Sequence, residues 1–127
     1  MSTYGRCSVL VVEDDPPTAQ LVQMVLSEEG YEVEIASNGE EALRRIEQAP
    51  PQMVLLDLLL PTMDGATLLR ELRRRGKALP VILMTAGREG MEPTESARPE
   101  GILFKPFELT DLLEEVERLA REISCKH

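Results

Sequence analysis

Polar side chains of a particular kind stand where short apolar runs of this chain stop. Glu13 ends the run SVLVVE with Asp14 and Asp15 following it, Asp57 ends MVLLD, Thr85 ends PVILMT, and Lys105 follows GILF. Carboxylates brought together raise one another's proton affinity and cost stability unless a cation compensates. Carboxylate and carbonyl oxygens suit a hard divalent ion, Mg²⁺ above all. An ammonium and a hydroxyl do nothing for a cation, but they suit the oxygens of a phosphoryl group. Together the residues read as a carboxylate nucleophile, Asp57, that accepts a phosphoryl group, with positioning and charge neutralisation supplying the catalysis. Each has a plainer reading when taken singly. Asp14 could cap a helix starting near Pro16, and Lys105 could be a surface lysine. It is their shared position, closing four separate runs, that favours a site.

The elements that must position them alternate along the chain. Ser8–Glu13, Met53–Asp57, Pro80–Thr85 and Gly101–Phe104 read as buried strands, and Tyr31–Ala36 alternates like an edge strand. Between them lie helical patterns over Pro16–Gly30, Asn38–Gln48, Asp64 or Gly65 to Arg75, and Leu109–Ile123. Continuous apolar strands joined by helical crossovers predict a doubly wound α/β fold with a parallel sheet covered on both faces. In such sheets chemistry gathers at the carboxyl ends of the strands. The stretch GREGMEPTESARPE (Gly87–Glu100) predicts no regular helix: Gly90 and Pro93 oppose one, and little apolar surface is available to offset them. The fourth helix of the pattern is therefore expected to be degenerate.

Composition bounds the function. The 127 residues are 43% hydrophobic and 29% charged, with formal net charge −9, a length that fits one domain over residues 1–127. An acidic chain lacks a phosphate-neutralising surface, so direct nucleic-acid binding is not expected. The apolar runs are too short to span a bilayer and no signal segment is evident, which predicts a cytoplasmic protein with no membrane partner. The two cysteines, Cys7 and Cys125, are expected to remain thiols in that compartment. The basic stretch from Arg70 to Lys77 reads as a helix C-terminus capped by Gly76, its cations complementing the helix dipole.

The motifs VLVVEDD (residues 9–15), ASNGEEAL (36–43), MVLLDLLLPTMDG (53–65), VILMTAG (81–87) and KPF (105–107) together resemble the receiver domain of two-component response regulators, of the single-domain, chemotaxis-regulator type. The likeness covers nearly the whole chain. It implies a flavodoxin-like (βα)5 fold with Asp57 as phosphoacceptor. Mg²⁺ would be held by Asp14, by Glu13 through water, by Asp57 and by the backbone carbonyl of Leu59. Thr85 and Lys105 would contact the phosphoryl group, and the peptide before Pro106 would be cis. The implied partners are a histidine kinase or phosphotransfer protein, and a downstream protein target or an output domain in a longer chain. On this reading the chain receives a phosphoryl group on its own aspartate and turns over no separate substrate.

Some positions depart from the family pattern. Ile102 stands where the family usually has an aromatic, three residues before the lysine, while Leu59 and Gly87 offer no group to orient an attacking water. Two other readings compete. A pseudo-receiver that binds partners without phosphorylation would typically lack part of the Asp57, Thr85 and Lys105 set. A Mg²⁺-dependent aspartyl phosphatase would need a second acid at position 59, where leucine stands.

Overall fold

The computed structural model describes residues 7–60, 63–76, 78–86 and 99–123. The elements run β1 (Ser8–Val12), α1 (Pro16–Glu28), β2 (Glu32–Ala36), α2 (Gly39–Gln48), β3 (Met53–Asp57), α3 (Gly65–Arg74), β4 (Val81–Thr85), β5 (Gly101–Phe104) and α4 (Leu109–Glu122). All strands are parallel, in the order β2-β1-β3-β4-β5. The α/β class, the five-stranded parallel sheet and the double winding match the sequence expectation. The expected irregular segment from Gly87 lies outside the described residues, except for Pro99 and Glu100.

Successive strand residues point to opposite faces, and the two faces fill separately. Val9 and Val11, Met53 and Leu55, and Ile82 and Met84 pack with Val22 and Leu26 of α1 and with Leu112, Val116 and Leu119 of α4. Leu10 and Val12, Val54 and Leu56, and Val81 and Leu83 pack with Ala42 and Ile46 of α2 and with Leu68, Leu69 and Leu72 of α3. Every residue of β3 and β4 is buried, because helices cover both sides of the sheet centre. Burial of this kind contributes about 25 cal/mol per Å² of apolar surface, and it is concentrated in the central strands.

Helix ends are set by local chemistry. The Asp15 carboxylate accepts from the Thr18 backbone N–H at 3.2 Å, and Pro16 and Pro17 occupy the first helical positions, where a missing N–H costs nothing. The cap of α1 is thus Asp15, and the single-residue reading of Asp14 as that cap is corrected. Asn38 and Asp64 cap α2 and α3 by accepting from the backbone N–H of Glu41 and Thr67, each at 2.8 Å. Gly76, at φ 76°, follows the C-cap Arg75 and ends α3 as expected. Arg75 pairs with Glu47 on α2 at 2.6 Å, and Arg73 with Glu100 beside β5 at 2.9 Å.

One expectation is overturned. Cys7 is disulfide-bonded, not a thiol. It is buried at the start of β1, and the chain's other cysteine, Cys125, lies outside the described residues.

Candidate functional site

Each predicted site residue sits at the carboxyl end of a strand or in the loop that follows. The strand order reverses between β1, which pairs with both β2 and β3, and β3, and such a switch point opens a crevice beyond the strand ends. Glu13 and Asp14 leave β1 on one side of it, and Asp57 ends β3 on the other. One carboxylate oxygen each from Glu13, Asp14 and Asp57 lies within 4.8 Å of the others. Glu13 and Asp57 are buried, at 2% and 5% relative exposure, whereas Asp14 is exposed.

Thr85 ends β4 and is buried, one residue beyond Met84, the register partner of Asp57. Lys105 follows β5, anchored by its backbone N–H to the Thr85 carbonyl at 2.7 Å. Its ammonium donates to Glu13 Oε1 at 3.0 Å and to Asp57 Oδ2 at 3.3 Å. The Lys105–Pro106 peptide is cis, as the sequence pattern implied. Leu59 donates its backbone N–H to Asp57 Oδ1 at 3.2 Å, and its side chain is 70% exposed. A surface cavity of about 490 Å³, lined by Thr18, Leu21, Ala86, Lys105, Pro106 and Phe107, opens beside the lysine.

The electrostatics follow from this packing. Burial pushes the Glu13 carboxyl above its ordinary value, the hydrogen bond from Lys105 opposes that push, and Asp57 adds to it. Burial also pulls on Lys105, but its bond to Glu13 and the charges of Asp57 and Glu13 outweigh the pull and raise it. Asp15 is turned away by its bonds to Thr18, which hold its carboxyl below the usual range. That turns it away from the carboxylate cluster of Glu13, Asp14 and Asp57. The cluster offers hard oxygen donors and an excess of negative charge, a donor set that fits Mg²⁺.

Two features escaped the sequence. The first is the Lys105–Glu13 contact, made across 92 positions, a separation at which residue type gives no warning. The second is Gly65. A Cβ there would clash with the Asp57 carbonyl oxygen and meet the Leu58 Cα at 2.8 Å, while the Gly65 N–H donates to the Leu58 carbonyl at 2.7 Å. The Asp-Gly pair ahead of a helix was the available signal. Beyond these, Ile102 and Phe104 alternate with buried Leu103, and both are exposed, at 37% and 52%. Phe104 is the register partner of Thr85.

The profile of the response regulator receiver domain matches residues 9–117. The chain belongs to the receiver domain family. Among its relatives, the transcriptional regulatory protein TrcR of Mycobacterium tuberculosis is 33% identical over 91% of this chain and 46% of its own length. The response regulator MprA of a Mycobacterium strain (KMS) is 37% identical over 91% and 51%. This receiver domain therefore spans about half the length of the curated relatives it matches. Among solved structures, the Francisella response regulator 1452 receiver domain superposes with TM-score 0.84 at 29% identity, covering 92% of this chain and 98% of that one. The chemotaxis response regulator CheY4 of Vibrio cholerae does so with TM-score 0.82 at 28% identity, covering 90% and 98%. Phosphorylation and Mg²⁺ binding at an acidic pocket are general to receiver domains.

Proposed function

We propose that the chain, one receiver domain over residues 1–127, is phosphorylated on Asp57 in a Mg²⁺-dependent reaction and thereby switches its binding to a partner. The observation that carries this reading is the cluster of Glu13, Asp14 and Asp57, with oxygens within 4.8 Å of one another, two of which, Glu13 and Asp57, also pair with the ammonium of Lys105. Asp14, Asp57, Glu13 through water and the Leu59 carbonyl would hold Mg²⁺, whose chemistry when bound would be to neutralise charge on phosphoryl oxygens.

The chain's own residues do the rest. Asp57 supplies the attacking carboxylate oxygen, fixed by the N–H of Leu59 on its other oxygen and by burial at the end of β3. Lys105 exchanges a carboxylate contact for a phosphoryl oxygen, and the Thr85 hydroxyl donates to another. The phosphodonor is a histidine kinase or phosphotransfer protein, and the output is a protein partner or a domain of a longer regulator. The chain turns over no separate substrate. It acts in the cytoplasm, and no helix among the described residues is long and apolar enough to cross a membrane. Nothing favours a role without phosphorylation, since the acidic residues, Thr85 and Lys105 are all present.

Incubation with acetyl phosphate, with and without Mg²⁺, followed by intact mass measurement tests the metal requirement. The expected result is one added phosphoryl group with Mg²⁺ and none in a chelator. Equal uptake in both would refute it.

A further inference from the structure

β5 is an edge strand of the sheet, and it is the strand that carries Lys105 to Asp57. Its apolar side chains specify its register poorly. Of its four residues only Leu103 is buried, while Ile102 and Phe104 are exposed, so a slipped pairing would forfeit little burial. A slip of two residues would carry Lys105 about 7 Å along the strand. That would take it out of reach of the carboxylates it meets at 3.0 and 3.3 Å.

Glu100, at the amino end of β5, holds the strand with both its backbone and its side chain. Its N–H donates to the Val81 carbonyl at 2.8 Å, and its Oε1 accepts from the Val81 N–H at 2.7 Å. One residue thus satisfies both backbone groups of the first position of β4. Arg73 of α3 donates to both oxygens of the Glu100 carboxylate, at 2.9 and 3.2 Å, and to the Leu79 carbonyl at 2.7 Å. From the opposite face of the sheet, Arg118 of α4 donates to the Glu100 carbonyl at 3.1 Å. Its guanidinium is itself held by Glu115 and Glu122, each at 2.7 Å. Ionised partners make these bonds stronger than neutral ones, and they reach Glu100 from both helical layers.

We propose that Glu100 is a positioning residue for Lys105. Clamped between Arg73 and Arg118, it fixes the register of β5 on β4 and so sets the ammonium beside Asp57 from the far end of the strand. This role rests on Asp57 as the phosphoacceptor, and Glu100 acts on the transfer through the lysine alone. A displacement of about an ångström is enough to slow a reaction that depends on placed charge.

Phosphorylation rates with acetyl phosphate and Mg²⁺ are compared in wild type, Glu100→Ala, Lys105→Ala and the double variant, at a temperature where all four are folded by circular dichroism. Glu100→Ala should slow the wild type roughly tenfold and the Lys105→Ala protein hardly at all, because the group it acts through is gone. Glu100→Gln, whose amide oxygen still accepts from Val81, should recover most of the rate. Equal slowing in the two backgrounds would overturn the positioning role. Amide hydrogen exchange reads the clamp without any phosphorylation. In Glu100→Ala the Lys105 N–H, bonded to the Thr85 carbonyl at 2.7 Å, should exchange about tenfold faster. The Leu58 N–H, bonded to the Met84 carbonyl between the central strands, should keep its rate. Exchange at Lys105 that rises no more than at Leu58 would overturn the clamp. A wild type that takes up no phosphoryl group would instead refute the phosphoacceptor reading, and the exchange at Lys105 would still decide the clamp.

Discussion

Glu13 and Asp57 are both buried and both bonded to the Lys105 ammonium, so removing that ammonium leaves two facing carboxylates without a counterion. Breaking a buried pair commonly costs 3 to 5 kcal/mol, and a lysine side chain exposed by a quarter lowers the figure. Lys105→Ala should destabilise the metal-free protein by about 1–3 kcal/mol in urea titration, with saturating Mg²⁺ recovering much of the loss. The raised Glu13 carboxyl sets a pH dependence of definite sign. Folded protein keeps that proton above the ordinary value of 4.5, where the unfolded chain has released it. Metal-free stability should therefore fall as pH rises from 4.5 through the raised value, and Glu13→Gln should flatten the slope. A slope unchanged in Glu13→Gln would assign the dependence to another group. Leu59 bears on the lifetime of the phosphorylated state. Hydrolysis needs a water held in line with phosphorus, and a 70% exposed leucine holds none. Leu59→Asn should speed phosphate loss severalfold, and an unchanged rate would remove the argument from that position.

Among the elements, the β3–α3 connection has the least room. A methyl group at Gly65 would press on backbone atoms of Asp57 and Leu58, which cannot swing away. Gly65→Ala should cost about 1–3 kcal/mol and slow phosphorylation, because the shift reaches Asp57 itself. Gly101→Ala is the comparison. There the added carbon meets Glu115 Oε2, the far end of a flexible side chain, and unfolding curves should move little. Equal losses in the two variants would contradict this. The same contrast shows what the sequence made legible. Strand positions followed from apolar runs, and most helix bounds came within a residue or two because Asn38, Asp64 and Gly76 are strong local signals. Asp15 rather than Asp14 as the cap of α1 was not legible, since both acids precede Pro16 and only geometry separates them. The state of Cys7 was misread because compartment, not spacing, governed the expectation.

At the scale of the whole molecule, the fold brings together only on folding what the chain holds 92 positions apart. Asp57 likewise meets the adjacent pair Glu13 and Asp14 only in the native state, and an ion that binds only that state stabilises it. At a free Mg²⁺ concentration a hundredfold above its dissociation constant, the gain is about 2.7 kcal/mol, and the thermal midpoint should rise accordingly. Asp14→Asn should raise metal-free stability, by less than about 1 kcal/mol since Asp14 is exposed, and abolish the response to Mg²⁺. A midpoint unmoved by Mg²⁺ in the wild type would count against the cluster as a metal site. The candidate site was legible because each of its residues closes a strand, so that the topology alone aligned them. The contacts that balance their charge were not. We propose on this convergence that Asp57 is the phosphoacceptor. The most direct measurement weighs wild type and Asp57→Asn after identical treatment with acetyl phosphate and Mg²⁺. One phosphoryl group is expected on the wild type and none on Asp57→Asn, and equal mass gain in both would contradict the assignment.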